Sequence, residues 1–467
     1  MTTRLPTPPP SPSMPRLVLC ADGGGSKVCV VIRSHDGVEV RGIAGPCNVQ
    51  SVGFEAARQS LLLATYRALS QLSSAYIPAD LVIPSLPPIL LPALPASMGQ
   101  SSKIPYKLPD LNIPVFQYAW LGLAGIQNDT DANAFLGHAA SALAVSPDRI
   151  KLSNDVNLLA APALESEGVD HVVAVVAGTG TIGRTIRVSP KISDNADRRK
   201  GKSPSLPLED VGIARGWGYL LCDEGSAFWL GRLAIRSVLA YADRKSSSAI
   251  YSSPHTELSL FHRDFLSYFG IMDPAELINL ASTCDVSFKG LDAGQATAKR
   301  NALIAGSARV VLKWAFPEDQ PISRVSCLPT PPGSTDGEGD IETETESNTG
   351  NDEDVEMEIT AISEAEIRKI RVIPEQQARS QKEAMRLVRK AIEPLVDLTL
   401  ECLGDMTVVD TARTALVLGG GLMMSSGYRG MLLNALTKED VVFRRVILVD
   451  DAAGEGARAL SSLVFGQ

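Results

Sequence analysis

The chain has 467 residues, 45% of them apolar and 21% charged, with a net charge of -9 and a pI near 5.3. That length allows two or three domains with substantial cores, and the acidic balance excludes the electrostatic footprint of a nucleic-acid-binding protein. Seven cysteines form no C-x-x-C pair, so neither a disulfide framework nor a metal-thiolate site is expected, and a reduced compartment, by default the cytoplasm, fits best.

Residues 1–15, rich in Pro, Ser and Thr, read as a disordered tail without the apolar stretch of a secretory signal. Arg16 to Ala21 and Lys27 to Arg33 are β-prone runs separated by Asp22-Gly-Gly-Gly-Ser26, the pattern of a hairpin with a glycine tip. A third strand, Val38 to Ile43, extends the meander to Gly45-Pro46-Cys47-Asn48, and Gly53 to Gln71 carries apolar residues at helical spacing. Residues 73–112 read as a Pro/Leu/Ser-rich insertion; six prolines between Ile77 and Met98 rule against a membrane helix there. Tyr118 to Ala124 predicts a buried strand, Asp129 to His138 a helix, Arg149 to Leu152 a short strand entering Ser153-Asn154-Asp155, and Val156 to Leu164 a further helix.

His171 to Ala177, Gly178-Thr-Gly-Thr181 and Ile182 to Val188 repeat the strand, glycine tip, strand design of the first hairpin, which points to a duplicated fold. Residues 189–207 form a polar, basic loop. From Ser226 to about Glu318 the chain is mainly helical by period. Residues 329–360 carry eleven acids and no base from Asp336 to Glu358 and are expected to be disordered. Glu364 to Cys402 reads as a long amphipathic helical region broken near Pro394. Thr414 to Leu418 leads into a third glycine turn, Gly419-Gly420-Gly421, and Val446 to Asp450 precedes a last helix from Glu455 to Leu463.

The most over-specified stretch is Gly212 to Gly231, with two of the four tryptophans, five glycines and the pair Asp223-Glu224. Glycines permit close backbone approach, Trp a flat apolar wall, and carboxylates acceptors for hydroxyls, a mixture suited to a polyol. A purely structural reading, a glycine turn before a helix whose first turn holds two acids, accounts for the carboxylates but not for Gly216-Trp217-Gly218. The first tip lacks the G-x-x-x-x-G-K-[ST] spacing of a P-loop and opens a strand. It still offers backbone N–H groups and the Ser26 hydroxyl to phosphate oxygens, with Asp22 placed to hold Mg²⁺. Asp155, after a strand and before a helix, reads either as a helix N-cap or as the base for a hydroxyl attacking a γ-phosphate.

In order along the chain, Asp22-Gly-Gly-Gly-Ser-Lys27, Gly45-Pro-Cys-Asn48, Asn154-Asp155, Gly178-Thr-Gly-Thr181 and Gly216-Trp-Gly-Tyr-Leu-Leu-Cys-Asp-Glu-Gly-Ser226 resemble the N-acetylglucosamine kinase family of the sugar kinase and actin-like ATPase superfamily. The resemblance implies an α/β fold of two ribonuclease-H-like domains, 16–160 and 161–467, flanking a nucleotide and sugar cleft. It further implies ATP and Mg²⁺ as cofactors, an amino sugar as substrate, and Asp155 as catalytic base. Asn48, Gly216, Trp217, Gly218 and Asp223, with Asp155, match positions that hold the sugar. Gly24, Gly25, Ser26 and Thr179 match phosphate contacts, and Ala305, Gly421 and Ser425 the nucleotide's other end. Three departures stand out: Thr181 where Ser is usual, Ile182 where a polar sugar contact stands, and Cys222 in place of Gly. The implied partners are the small molecules, with room for a homodimer and none for nucleic acid or membrane. Two other functions share these motifs: an ATPase that activates a partner dehydratase through an iron-sulfur cluster, and a non-catalytic amino-sugar sensor.

Overall fold

The computed structural model describes residues 16–86, 107–189, 206–250, 258–319 and 364–466, the first ten of the last span as backbone only. The expected tail 1–15, the middle of the 73–112 insertion, most of the 189–207 loop and the acidic segment 329–360 lie outside the described residues. Contacts divide the chain into two compact units, Met1–Ser226 with Ile392–Gln467, and Ala227–Ala391.

The first unit holds two five-stranded sheets. One comprises β1 (Leu17–Gly23), β2 (Val28–Ser34), β3 (Glu39–Ala44), β4 (Phe116–Leu123) and β5 (Ile150–Ser153); the other comprises β6 (His171–Ala177), β7 (Thr181–Val188), β8 (Leu208–Arg215), β9 (Thr414–Gly419) and β10 (Arg445–Val449). The spatial orders are β3-β2-β1-β4-β5 and β10-β9-β6-β7-β8. In each, a three-stranded antiparallel meander gives its first strand to a parallel pair, so the second sheet repeats the first strand for strand. The duplication suggested by two glycine-tipped hairpins is therefore present in the topology.

Between and beyond these strands lie α1 (Val49–Val52), α2 (Phe54–Leu69), α3 (Asp129–Leu143), α4 (Ala227–Ser246), α5 (Leu260–Tyr268), α6 (Glu276–Ala281), α7 (Ala293–Gly306), α8 (Ala308–Ala315), α9 (Glu364–Leu403), α10 (Ser426–Lys438) and α11 (Ala452–Phe465). The first sheet is covered on both faces. Leu17, Leu19 and Ala21 share a core with Leu61, Leu62 and Phe135, whereas Val18 and Cys20 alternate to the other face with Trp120, Ala457 and Leu460. Two-sided burial is why β1 reads as an unbroken apolar run rather than an alternating one. The ends of the Pro-rich insertion join this core through Leu81, Leu108 and Leu111.

The helix expected after β5 is present as a 3-10 helix, Asp155–Glu165, with Pro162 inside it. Two expectations change. Strand β8, not expected from the sequence, takes the first four residues of the Gly212 to Gly231 stretch by pairing antiparallel with β7. Helix α9 runs unbroken through Pro394. Proline inside a helix costs about 3 kcal/mol, and fully buried Leu395 and Leu398 on the next turns offset that cost.

The second unit is helical, packed around Leu230, Val238, Phe261, Phe265 and Val311. In its buried polar cluster Glu383 accepts from the Ser237 hydroxyl at 2.8 Å and pairs with His262 Nε2 at 2.8 Å. No helix among the described residues is long and apolar enough to cross a membrane.

Candidate active site

The site is assembled where the carboxyl ends of the central strands meet their glycine turns. The Gly23 carbonyl accepts from Ala124 N at 2.7 Å, the Gly24 carbonyl from Cys47 N at 3.0 Å, and the Ala124 carbonyl from Val49 N at 3.1 Å. These bonds lace the first hairpin tip to the Gly45–Asn48 loop and to the end of β4. Within the tip Gly24 N donates to Lys27 O, while the amides of Gly25 and Ser26 have no partner among the described residues. A Cβ built on Gly25 meets nothing within 4 Å, and on Gly24 only a carbonyl oxygen at 3.7 Å. Unpartnered N–H groups on a turn with open space around it fit a phosphate.

Asp22 sits on β1 opposite Gly122 of β4. A Cβ on Gly122 would lie 2.6 Å from the Leu158 side chain and 3.2 Å from Asp155 Cα, so its absence lets the 3-10 helix bring Asp155 against the strand beside Asp22. The helix is capped by Asn154, whose side chain accepts from Val156 N and whose Nδ2 donates to Ile126 O at 3.0 Å. Asp155 is therefore not the N-cap, the structural role its position suggested, and its carboxyl remains for other work. Burial, then the Asp155 charge, push the Asp22 carboxyl up to about 7, with Lys27 pulling it back. Burial also raises Asp155, opposed by the Val156 N–H and the Arg184 guanidinium. The described residues contain no cluster of three or more His, Cys, Asp or Glu suited to a metal. A lone Asp22 carboxylate fits Mg²⁺, which keeps waters and takes phosphate oxygens rather than a full protein cage.

The second tip is built differently. Thr181 N donates to Asp223 Oδ1 at 2.9 Å and the Thr181 hydroxyl to Glu224 O at 3.1 Å. A Cβ on Gly180 would fall 2.8 Å from the same carboxylate oxygen. Asp223 adopts φ +70° and is buried, which raises its pKa, the Thr181 N–H opposing. Thus Asp223 first of all fastens the Gly-Trp-Gly stretch to the second glycine turn. Cys222 is not among the residues with positive φ; the unusual backbone conformation falls on Asp223. Thr179 at the tip is exposed.

The third turn abuts the second. Gly420 has φ +89°, and a Cβ there would stand 2.6 Å from the Ala177 carbonyl. Gly420→Ala is expected to lower stability by about 2–5 kcal/mol, strain and overpacking together; a loss under about 1 kcal/mol in urea unfolding would show that the two turns do not touch. Gly421 opens a short 3-10 helix, and Ser425 caps α10 by accepting from Tyr428 N. The Tyr428 hydroxyl donates to Gly225 O at 3.0 Å, tying α10 to the Asp223-Glu224 loop. Ala305 is wholly buried on α7, in the second unit.

Asn48 caps α1: its Oδ1 accepts from Gln50 N and Ser51 N, both at 3.1 Å, so its Nδ2 is what remains for a ligand. Gln50 lines a cleft of about 630 Å³ together with Gln127, Arg215, Gly216, Trp217 and Glu401. Trp217 is 68% exposed there, a flat wall without a protein partner packed over most of it. Ile182 lies beneath Gly216, whose added Cβ would meet it at 2.8 Å, and so contributes packing rather than a polar contact.

Sequence reasoning missed Arg184, 2% exposed on β7. Its Nη1 donates to Asp210 at 3.0 Å and its Nη2 to Gln127 Oε1 at 3.1 Å, and Asn157 Nδ2 donates to the other Asp210 oxygen at 2.8 Å. The available signal was period two: Arg184 falls in the row of Ile182, Ile186 and Val188, a charge on a core-facing register. Gln127, exposed in a loop, carried no such signal.

Two like-ordered sheets, each opening with a glycine-tipped hairpin, place the chain in the ribonuclease-H-like, actin-like ATPase class of fold. A candidate N-acetylglucosamine kinase from Porphyromonas gingivalis superposes with a TM-score of 0.50 at 14% identity, 96% of this chain and 98% of that one being covered. Another from Chromobacterium violaceum gives 0.47 at 18% identity over 96% and 100%. A glucokinase from Balamuthia mandrillaris with bound glucose gives 0.37 at 10% identity over 97% and 95%. At such identities the likeness is one of fold. No family model and no curated protein matches the sequence.

Proposed function

We propose that the chain is an ATP-dependent kinase that phosphorylates the 6-hydroxyl of N-acetylglucosamine or a closely related amino sugar. One observation carries the reading: the half-buried Asp155 carboxyl, released from capping by Asn154, stands beside Asp22 and the first of the glycine turns whose N–H groups are free. The fold shared with the Porphyromonas protein, a candidate N-acetylglucosamine kinase, supports it.

In this reading the Gly24, Gly25 and Ser26 tip and Thr179 hold phosphate oxygens, and Asp22 holds Mg²⁺, which neutralises charge on the transferring group. The cleft beside Asn48, Gly216, Trp217 and Gly218 takes the sugar, with Asp223 bracing its wall. Asp155 accepts the proton of the sugar hydroxyl as its oxygen bonds the γ-phosphorus and the bond to the β-phosphate oxygen breaks, releasing ADP. Gly421 and Ser425 complete the nucleotide side. A dehydratase activator needs exposed cluster-binding cysteines; among the described ones Cys284 alone is exposed.

Incubation with ATP, Mg²⁺ and a panel of hexoses and hexosamines tests the proposal. Phosphate transfer with highest kcat/KM on an N-acetylhexosamine is expected; sugar binding without turnover across the panel would leave a sensor instead.

A further inference from the structure

We propose that Gln127 is a substrate-specificity residue, aimed into the cleft by Arg184 so that it presents an N–H₂ donor to an acceptor oxygen of the sugar. The inference rests on the amino-sugar reading above.

A guanidinium has only donors, so the side-chain atom of Gln127 that meets Arg184 Nη2 at 3.1 Å must be the oxygen. Its Nε2 is thereby turned away, and it has no partner among the described residues. Arg184 is itself immobilised: it is 2% exposed, and its other nitrogen Nη1 is held by Asp210, which Asn157 fixes in turn. The main chain of Gln127 is held too, its N–H donating to Asp131 Oδ2 at 2.9 Å. The cleft that Gln127 lines is also lined by Gln50, Gly216 and Trp217.

Two consequences follow for the ligand. A fixed donor favours a hydroxyl or amide oxygen and disfavours an ammonium group at the same place. It also supplies polarity that Ile182, packed under Gly216, does not. For sugar binding Arg184 acts through Gln127 and is a positioning residue; its guanidinium also lowers the Asp155 carboxyl, so its variants are read by affinity rather than by kcat.

The test is calorimetric binding of N-acetylglucosamine and of glucosamine to the full-length wild type, Gln127→Leu, Arg184→Met and the double variant, with kcat and KM alongside. Gln127→Leu is expected to weaken N-acetylglucosamine binding about tenfold with kcat within about threefold, because an exposed contact is lost and the base is untouched. Arg184→Met should weaken binding comparably, and the double variant no further, since the two act as one unit. Unchanged affinity in Gln127→Leu overturns the assignment, even if Arg184→Met fails to fold, while phosphate transfer by the wild type keeps the kinase reading intact. Wild type that binds no hexosamine overturns both.

Discussion

Asp155→Asn is expected to lower kcat about 10²- to 10⁴-fold with little change in KM, the loss typical of removing a positioned general base. The amide is isosteric and still accepts from Val156 N, the bond Asp155 Oδ1 makes at 3.1 Å, so the 3-10 helix and its Asn154 cap remain. Binding of sugar and nucleotide should persist, because asparagine keeps the shape of the side chain and leaves the cleft residues and glycine tips unchanged. The variant also removes a charge that raises Asp22; residual activity should therefore extend to lower pH than in the wild type. Full activity in Asp155→Asn, measured by coupled ADP release, removes Asp155 from the base role.

Asp22→Asn should abolish Mg²⁺-dependent transfer while making the metal-free protein more stable. Burial lifts the Asp22 carboxyl from 3.8 to about 7. Between these values the folded chain keeps a proton that the unfolded chain has released, so stability falls as pH rises. Below about 4 the aspartate costs nothing; above about 7 the full cost, on the order of 4 kcal/mol, is reached. Asparagine is neutral throughout and avoids it. Urea unfolding in chelator is expected to show the variant's advantage growing by about 2–3 kcal/mol from pH 5 to pH 8. An advantage that does not change with pH would mean that Asp22 is not held in its raised state. A carboxylate kept at such cost fits a site selected for binding a cation rather than for stability.

The pair shows how unevenly the site was legible. Asp22 and Asp155 stood out because each adjoins a recognisable local signal, a glycine tip or a strand-to-helix junction. Their closeness did not, for it depends on Gly122 lacking a side chain where Leu158 and Asp155 pack. Asp223 was legible as a functional carboxylate, but its bond to Thr181 N spans 42 residues, and no local pattern announces such a contact. Helix α9 was read as broken at Pro394 because local propensity predicts a stop; burial of Leu395 and Leu398 decided otherwise. Strand β8 escaped notice because it is an edge strand, exposed at Glu209, Asp210, Val211 and Ile213, and without a clean alternation.

By itself, then, the order of residues determined the hairpins, the glycine turns, the repeated design and the candidate acids. These follow from backbone freedom at glycine and from β-branched runs, which act over a few residues. Tertiary structure alone decided which acids share a field, which polar groups are already spent on caps, and that Arg184 orients Gln127 beside the cleft. Those outcomes depend on contacts between residues far apart in the chain, where packing and desolvation outweigh local preference.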